Sequence, residues 1–473
     1  MTRRTVSPLV VKEIRALLPA WLACLAAMAI CAGTTLWPFG EMGIGAYLIG
    51  VAALGGLSIG HEYGHRTLPL LLVQPVRRER LLSVKLGVLT VMLAGIAAAA
   101  SVVVLPRVDA GPSIRLAFFL LPLVGLCVAP WLTMVFGSTM AGTVFTLALP
   151  GTLLTISELL YLAIFRRYAP GSFQELVLWR GTIACCVLGA VMGWRTFLRL
   201  EAIEGPGASL DLTAWLPWAR RAHAAAPALT RRAPLRLLVA KELRLQKMPF
   251  VVAGLYGFGW IAAALLQRAV AHSREIFDIF SVFYVILIAL LIGAVASAEE
   301  RQMGTLAWQQ LLPVTASKQW AVKVAVVLSL SILLAVAMPA LLVSLPFPMR
   351  LVPQIVFAVV ALAACGLYVS SVSISSVWAM LLSMPAVFGV VWLIQIVRGR
   401  LAPMLGREYS ISLVRTNTAG EPLMAGAFIV LLLWLAFQNH RSAERGGRRF
   451  CLQGVWLTAY LTAATVAAVW IGR

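Results

Sequence analysis

Charge is what this sequence has least of. Only 12% of its 473 residues are Asp, Glu, Lys or Arg and 61% are apolar, whereas an ordinary soluble domain carries about 25% charged residues. A water-soluble fold has too little interior for so much apolar surface. Aspartate is reduced to Asp109, Asp211 and Asp278. No Cys-x-x-Cys occurs, and Cys24, Cys31, Cys127, Cys185, Cys186, Cys365 and Cys451 all fall in or at the edge of apolar segments. That pattern argues against a disulfide framework and a zinc knuckle. The phosphate-cradling pattern Gly-x-x-x-x-Gly-Lys-[Ser/Thr] is also missing, so the chain does not hold ATP phosphates in that way.

What is present is a series of long uncharged stretches. A run of about 18 to 20 apolar residues spans the hydrocarbon core as a helix. Such runs lie at about 18–38, 43–60, 86–106, 114–136, 139–165 and 178–198, then at 249–267, 277–298, 323–345, 351–372, 374–397 and 422–438. A further run, 451–471, follows the basic turn Arg441, Arg445, Arg448, Arg449. The first run is too long for a cleaved signal peptide and more runs follow it, so it is expected to be retained. The expected fold is therefore an all-α polytopic membrane protein with two tandem six-helix units and an extra C-terminal helix. Its expected divisions are 1–200, a linker at 201–234 rich in Pro and Arg, 235–440, and 441–473.

The formal net charge is +21, and its location decides its meaning. With the N-terminus placed inside, 26 of the 39 Lys and Arg fall in loops on the inner side. Such asymmetry is the positive-inside signal. It accounts for the basicity without nucleic acid and predicts a cytoplasmic N-terminus. The preference for Arg over Lys hints at a high-GC bacterial genome, which would place the chain in a bacterial cytoplasmic (inner) membrane.

The two halves echo each other. Residues 9–15, Leu-Val-Val-Lys-Glu-Ile-Arg, correspond to 238–244, Leu-Val-Ala-Lys-Glu-Leu-Arg. Residues 62–85 align with 300–323 at a constant offset, matching Glu62 with Glu300, Thr67 with Thr305, Leu68 with Leu306, Pro75 with Pro313, Val76 with Val314, Val84 with Val322 and Lys85 with Lys323. Pro150 and Pro385 each fall inside the fifth run of their half. A parallel duplication of six-span units needs an even number of crossings per unit, and the hydropathy supplies it.

Before the first run of each half lies a mixed stretch. Apolar residues at helical spacing (Val10, Ile14, Leu17, Leu18; Leu235, Leu238, Val239, Leu243) stand beside Lys12, Glu13 and Arg15, or beside Lys241, Glu242 and Arg244. That composition suits a helix in the membrane interface. The alternative is the end of one longer helix, against which Pro19 and Pro249 argue as breaks.

The segment joining the second and third runs is the most informative. Residues 61–85 and 299–323 each carry a glutamate at the membrane boundary, then a short leucine-rich stretch, a Pro-Val pair and a lysine re-entering the membrane. These stretches resemble the signature region of the type 2 ABC-transporter permease family, in which Glu, a Gly-Thr-Leu-like step, Leu-Leu, Pro-Val and a distal Lys occur at this place. The resemblance implies two transmembrane domains fused in one chain and an exporter that is not itself an enzyme. It implies two copies of a cytoplasmic ATPase subunit, which would bind the ATP and Mg, and a transported substrate that the sequence does not specify. It assigns ATPase coupling to Glu62, Arg66, Thr67, Leu68, Pro75 and Lys85, and to Glu300, Thr305, Leu306, Pro313 and Lys323. The leucines and Trp of these stretches (Leu68, Leu70, Leu71, Leu72; Leu306, Trp308, Leu311, Leu312) form an apolar ridge expected to seat in a groove on the partner. Glu62 and Glu300 are expected to pair with basic neighbours.

Two rivals compete with this reading. His61-Glu62-Tyr63-Gly64-His65 matches His-Glu-x-x-His, a zinc-protease pattern, but the duplicated copy has Glu299 and Met303 where the histidines stand, and no third ligand segment is evident. An ion-coupled secondary transporter would show an Asp-Arg-bearing loop between spans two and three, and none occurs. Glu158, within the fifth run, is either a functional intramembrane charge or a residue snorkelling to the interface.

Overall fold

The structure is a computed structural model that describes residues 8–32, 39–64, 67–68, 71, 73, 76–107, 112–167, 169–200, 234–267, 275–306, 314–343, 352–373, 375–404, 420–442 and 447–471. Among these residues there are helices and turns but no strands. In lipid every backbone N–H and C=O needs an internal partner, and a helix supplies one residue by residue.

The described chain divides into two compact units, Met1–Leu237 with Phe258–His272 and Leu238–Gly257 with Ser273–Arg473. In the first half, α1 (Pro8–Ala32), α2 (Phe39–Gly64) and α3 (Arg78–Val103) are followed by α4 (Pro112–Cys127), α5 (Ala129–Phe136), α6 (Thr139–Phe165) and α7 (Gly171–Arg199). The second half begins with α8 (Pro234–Leu245) and α9 (Lys247–Gln267), then α10 (Glu275–Gln302) and α11 (Ala316–Ile332). A π turn at Leu333–Ala337 leads into α12 (Met338–Val343), before α13 (Val352–Val372), α14 (Ser376–Met404), α15 (Gly420–Arg441) and α16 (Gly447–Ile471).

Where they are described, the thirteen apolar runs fall largely on helices. Among the described residues eight helices are long and apolar enough to cross a membrane. The pair α4 and α5, bent by 43° at Val128, makes nine if the two helices are counted as one span. Pro130, in the first turn of α5, removes one backbone donor there. The chain is an all-α, multi-pass membrane protein.

The break expected at proline is absent in α1 and present between α8 and α9. Pro19 lies inside the uninterrupted α1, so the expected break in the first half is absent. In the second half α8 ends at Leu245 and α9 starts at Lys247, with Pro249 in its first turn, where a missing N–H costs nothing.

Glycine places the central helices of each unit in contact. A Cβ on Gly55 of α2 would collide with the Gly125 carbonyl of α4, and one on Gly293 of α10 would lie 2.5 Å from the Ala363 carbonyl of α13. Backbones approach closely where only hydrogen occupies the interface, which is how membrane helices gain packing without a hydrophobic drive. Outward faces carry Val91, Leu188, Val430 and Trp456, each more than half exposed, as lipid contact requires and water would disfavour.

Candidate functional site: paired charge clusters

At one end of α2 four charges meet, three of them buried. Residues Glu13, Leu17, Ala20 and Cys24 share the buried face of α1. Lys85, about two turns into α3, puts Nζ 2.8 and 2.9 Å from the two oxygens of Glu13 and 3.4 Å from Glu62 Oε1. Lys12 closes the set, 2.9 Å from the same Glu62 oxygen. Lys85 also donates to the Ser58 carbonyl at 3.3 Å. Glu13, Glu62 and Lys85 are all buried.

The second unit repeats the arrangement. Lys323 Nζ lies 2.8 Å from Glu242 and 3.0 Å from Glu300, and it donates to the Ala296 carbonyl at 2.7 Å. Lys241 reaches Glu300 at 2.5 Å and Glu242 at 3.4 Å. Glu242, Glu300 and Lys323 are buried. Two lysines and two glutamates make each cluster neutral, the condition under which buried charge is tolerated. On α8, outside the apolar spans, burial pushes the Glu242 carboxyl up from its ordinary range while the Lys323 and Lys241 ammonium groups oppose the shift.

This geometry revises the reading of the two mixed stretches. Glu13 and Glu242 were expected on a polar face turned to the interface; they point into the bundle, while Ile14, Leu18 and Leu243 are exposed. Arg15 and Arg244 stay exposed, and Lys12 is 44% exposed along its side chain although its ammonium reaches Glu62. Leu238 and Glu242 form the inward stripe of α8, and Gln246, just past its end, continues it at the same spacing. Gln246 donates to the Ile292 carbonyl at 3.1 Å.

The segment after α2 starts from the cluster. Thr67 donates its N–H to the Glu62 carbonyl at 3.0 Å and its hydroxyl to the Glu62 carboxylate. Thr305 donates its N–H to the Glu300 carbonyl at 3.0 Å, and its hydroxyl to that carbonyl at 3.2 Å. Leu68 is half-buried. The expected apolar ridge is turned inward where it is described: Leu71 packs with Ile59, Leu81, Leu82, Met134 and Phe197, and Leu306 is buried. Among the described residues of the first segment Val73 is exposed, at 74%. Arg66, Leu70, Leu72, Pro75, Trp308, Leu311, Leu312 and Pro313 lie outside the described residues.

An arginine ties each segment to the last span of its half. Arg78 donates to the Leu198 and Leu200 carbonyls at 2.7 and 2.8 Å, and Arg301 donates to the Asn439 carbonyl at 3.1 Å. Both satisfy carbonyls that a helix end leaves without partners. Sequence alignment misses this pairing because Arg78 begins α3 whereas Arg301 ends α10.

Neither a zinc site nor an intramembrane carboxylate fits what is present. Glu13, His61 and Glu62 bring ligand atoms within 4.8 Å of one another, but the Lys85 and Lys12 ammonium groups already neutralise both carboxylates. His61 Nδ1 lies 2.8 Å from the Leu57 carbonyl and Nε2 3.2 Å from Glu62 Oε1, so both ring nitrogens already face protein oxygens. His65 lies outside the described residues. A general base needs an unengaged oxygen, and both oxygens of Glu62 are held. Glu158 takes the Ala169 N–H at 3.2 Å and the Gln174 amide, so it fastens the turn from α6 to α7.

Comparison with family models, with curated proteins and with solved structures yields no match in any of the three. The reading of the site rests on its own chemistry.

Proposed function

We propose that this chain is the membrane-spanning permease of an ATP-driven transporter of the ATP-binding-cassette type, working as an exporter with a separate ATPase. The observation that carries this is the duplicated charge cluster. It fastens α1, the end of α2 and α3 in the first unit, and α8, the end of α10 and α11 in the second, at the root of the segment that follows Glu62 or Glu300. Displacing Glu62 while Lys85 and Lys12 stay behind would strand buried charge, which costs about 3–5 kcal/mol. The three elements therefore move together, and a push on the segment reaches α1, α2 and α3 as one lever.

On this reading the segments after Glu62 and Glu300 face the cytoplasm and each receives one ATPase copy, as the resemblance to type 2 permeases implies. The N-terminus is then cytoplasmic, and the membrane is the bacterial inner one. ATP and Mg belong to the partner, and this chain supplies the path for the substrate and the contacts that respond to closure. Glu62→Ala with Glu300→Ala is expected to leave membrane insertion intact and to lower ATP turnover of the co-purified complex at least tenfold. Unchanged turnover in an inserted, folded double variant overturns the coupling assignment, and failure of any ATPase to co-purify overturns the reading as a whole.

A further inference from the structure

Three buried atoms of the second unit, Gln246 Oε1, Ser297 Oγ and Ser331 Oγ, have no hydrogen-bond partner among the described residues. Each belongs to a residue at most 3% exposed. A buried hydroxyl on a helix ordinarily bonds back to a carbonyl one turn earlier, and others in this unit do so. Ser370, Ser373 and Ser383 donate to the carbonyls of Leu367, Val369 and Met380 at 2.9, 2.8 and 2.8 Å. Ser297 and Ser331 leave that bond unmade. The first unit is apolar at the corresponding places. At the offsets that relate the halves, Gln246 stands for Leu17, Ser297 for Ile59 and Ser331 for Leu93, all of them buried. The same alignment pairs Gly293 with Gly55, each pressed against a neighbouring carbonyl, so the correspondence holds inside the spans.

Two bonds place these atoms along the unit. Lys323 of α11 holds the Ala296 carbonyl of α10, and Tyr284 of α10 holds the Leu334 carbonyl beyond α11, so the two helices lie side by side between those points. Ser297 adjoins the first carbonyl. Gln246 is bonded to α10 at Ile292, about one turn nearer the second. Ser331 precedes Leu334 by about one turn, just before the π turn at Leu333–Ala337 shifts the backbone ladder. The geometry points to internal water sites at Gln246 Oε1, Ser297 Oγ and Ser331 Oγ, which hydrate the interior of the second unit where that of the first is dry. Water is the ligand that fits. A buried water makes about three hydrogen bonds to groups otherwise lacking partners. The amide oxygen accepts, the two hydroxyls donate or accept, and backbone carbonyls already bonded in a helix keep a second lone pair.

Exchangeable water offers a passing polar solute hydrogen bonds nearly as good as direct ones. On the permease reading, the second unit is therefore the half equipped to contact the substrate, and the substrate is hydrophilic. That consequence rests on the permease reading; the water sites do not.

The test is X-ray radiolytic labelling of the full chain in lipid nanodiscs equilibrated with oxygen-18 water, read residue by residue by mass spectrometry. Hydroxyl radicals formed from a bound water mark the side chains beside it. Tyr284 and Tyr47 are a matched pair: both are buried, both stack on an aromatic ring and both donate to a backbone carbonyl. Tyr284 and Leu330 are expected to take up label at least about fivefold faster than Tyr47 and Leu93. Ser331→Ala, and Ser331→Leu as its bulkier companion, are expected to bring Tyr284 and Leu330 down to the level of the first unit. Ile292 reports in the same way on Gln246→Leu combined with Ser297→Ala. Equal labelling of the two tyrosines in the native chain, or unchanged labelling of Tyr284 in folded Ser331→Ala, overturns the water sites. Labelling as expected in a chain with which no ATPase co-purifies leaves the water sites standing and removes only the permease reading.

Discussion

Lys85 holds both carboxylate oxygens of Glu13, at 2.8 and 2.9 Å, across 72 residues of chain. Neither side chain reaches solvent to any extent. Removing one partner leaves the other charge buried and unpaired, whereas removing both leaves the neutral pair of Lys12 and Glu62. Lys85→Met is therefore expected to destabilise the protein by about 3–5 kcal/mol. The double variant Lys85→Met with Glu13→Leu is expected to recover more than half of that loss. Thermal unfolding in nanodiscs measures both, and an equal or larger loss in the double variant would refute the neutral-cluster account.

The two threonines after the clusters are not equivalent. Thr67 gives its hydroxyl to the ionised carboxylate of Glu62, while Thr305 gives its hydroxyl to the backbone carbonyl of Glu300. Hydrogen bonds to charged groups contribute about 1.5–3 kcal/mol and neutral ones about 0.5–1.5. Thr67→Val is expected to destabilise more than Thr305→Val by about 1 kcal/mol or more. Hydrogen exchange at the two N–H groups would register the same order.

Close packing of α10 and α13 makes a third prediction. Gly293→Ala forces a methyl against the Ala363 carbonyl, and Gly366→Ala one against the Leu290 carbonyl at 3.0 Å. Each is expected to cost about 1–3 kcal/mol, the range of overpacked cores. Gly454→Ala, where nothing lies within 4 Å, serves as the control. That substitution is expected to be neutral or slightly stabilising because alanine favours the helix by about 1 kcal/mol.

The C-terminal helix is held by reciprocal amides. Asn439 donates to Gln453 at 3.1 Å, Gln453 returns a bond to Asn439 at 2.9 Å, and the set extends to Ser371 and the Tyr368 hydroxyl. Gln453→Leu is expected to cost about 1–2 kcal/mol, the range for polar contacts between membrane helices. Cleavage by protease near residue 446 should rise before the other loops become sensitive; unchanged cleavage would argue that packing alone retains α16.

Much of this architecture can be read from the chain because lipid leaves few options. Long apolar runs become helices for want of any other way to satisfy the backbone, so the long apolar helices fall where hydropathy places them. Glu62, Glu300, Lys85 and Lys323 are legible for a related reason: a charge at the edge of an apolar run demands a partner. Glu13 and Glu242 are harder to place. A helical wheel seats them with the lysine beside them, and only the approach of α3 and α11 turns them inward. The bend at Val128 is equally hidden, since Pro130 marks a start for α5 while Pro19 leaves α1 intact. Inward-turned leucines follow from tertiary contact too, for Leu71 and Val73 differ little in hydropathy and lie on opposite sides of the same short segment.

The π turn at Leu333–Ala337 has no counterpart in α3, which runs unbroken from Arg78 to Val103. Its carbonyl at Leu334 is taken by the Tyr284 hydroxyl at 3.0 Å. One inserted residue rotates all that follows by about 100°. Positions on α3 and α11 thus keep phase near the two lysines and lose it past residue 337, so the faces that the two helices present at the end remote from the salt bridges no longer correspond.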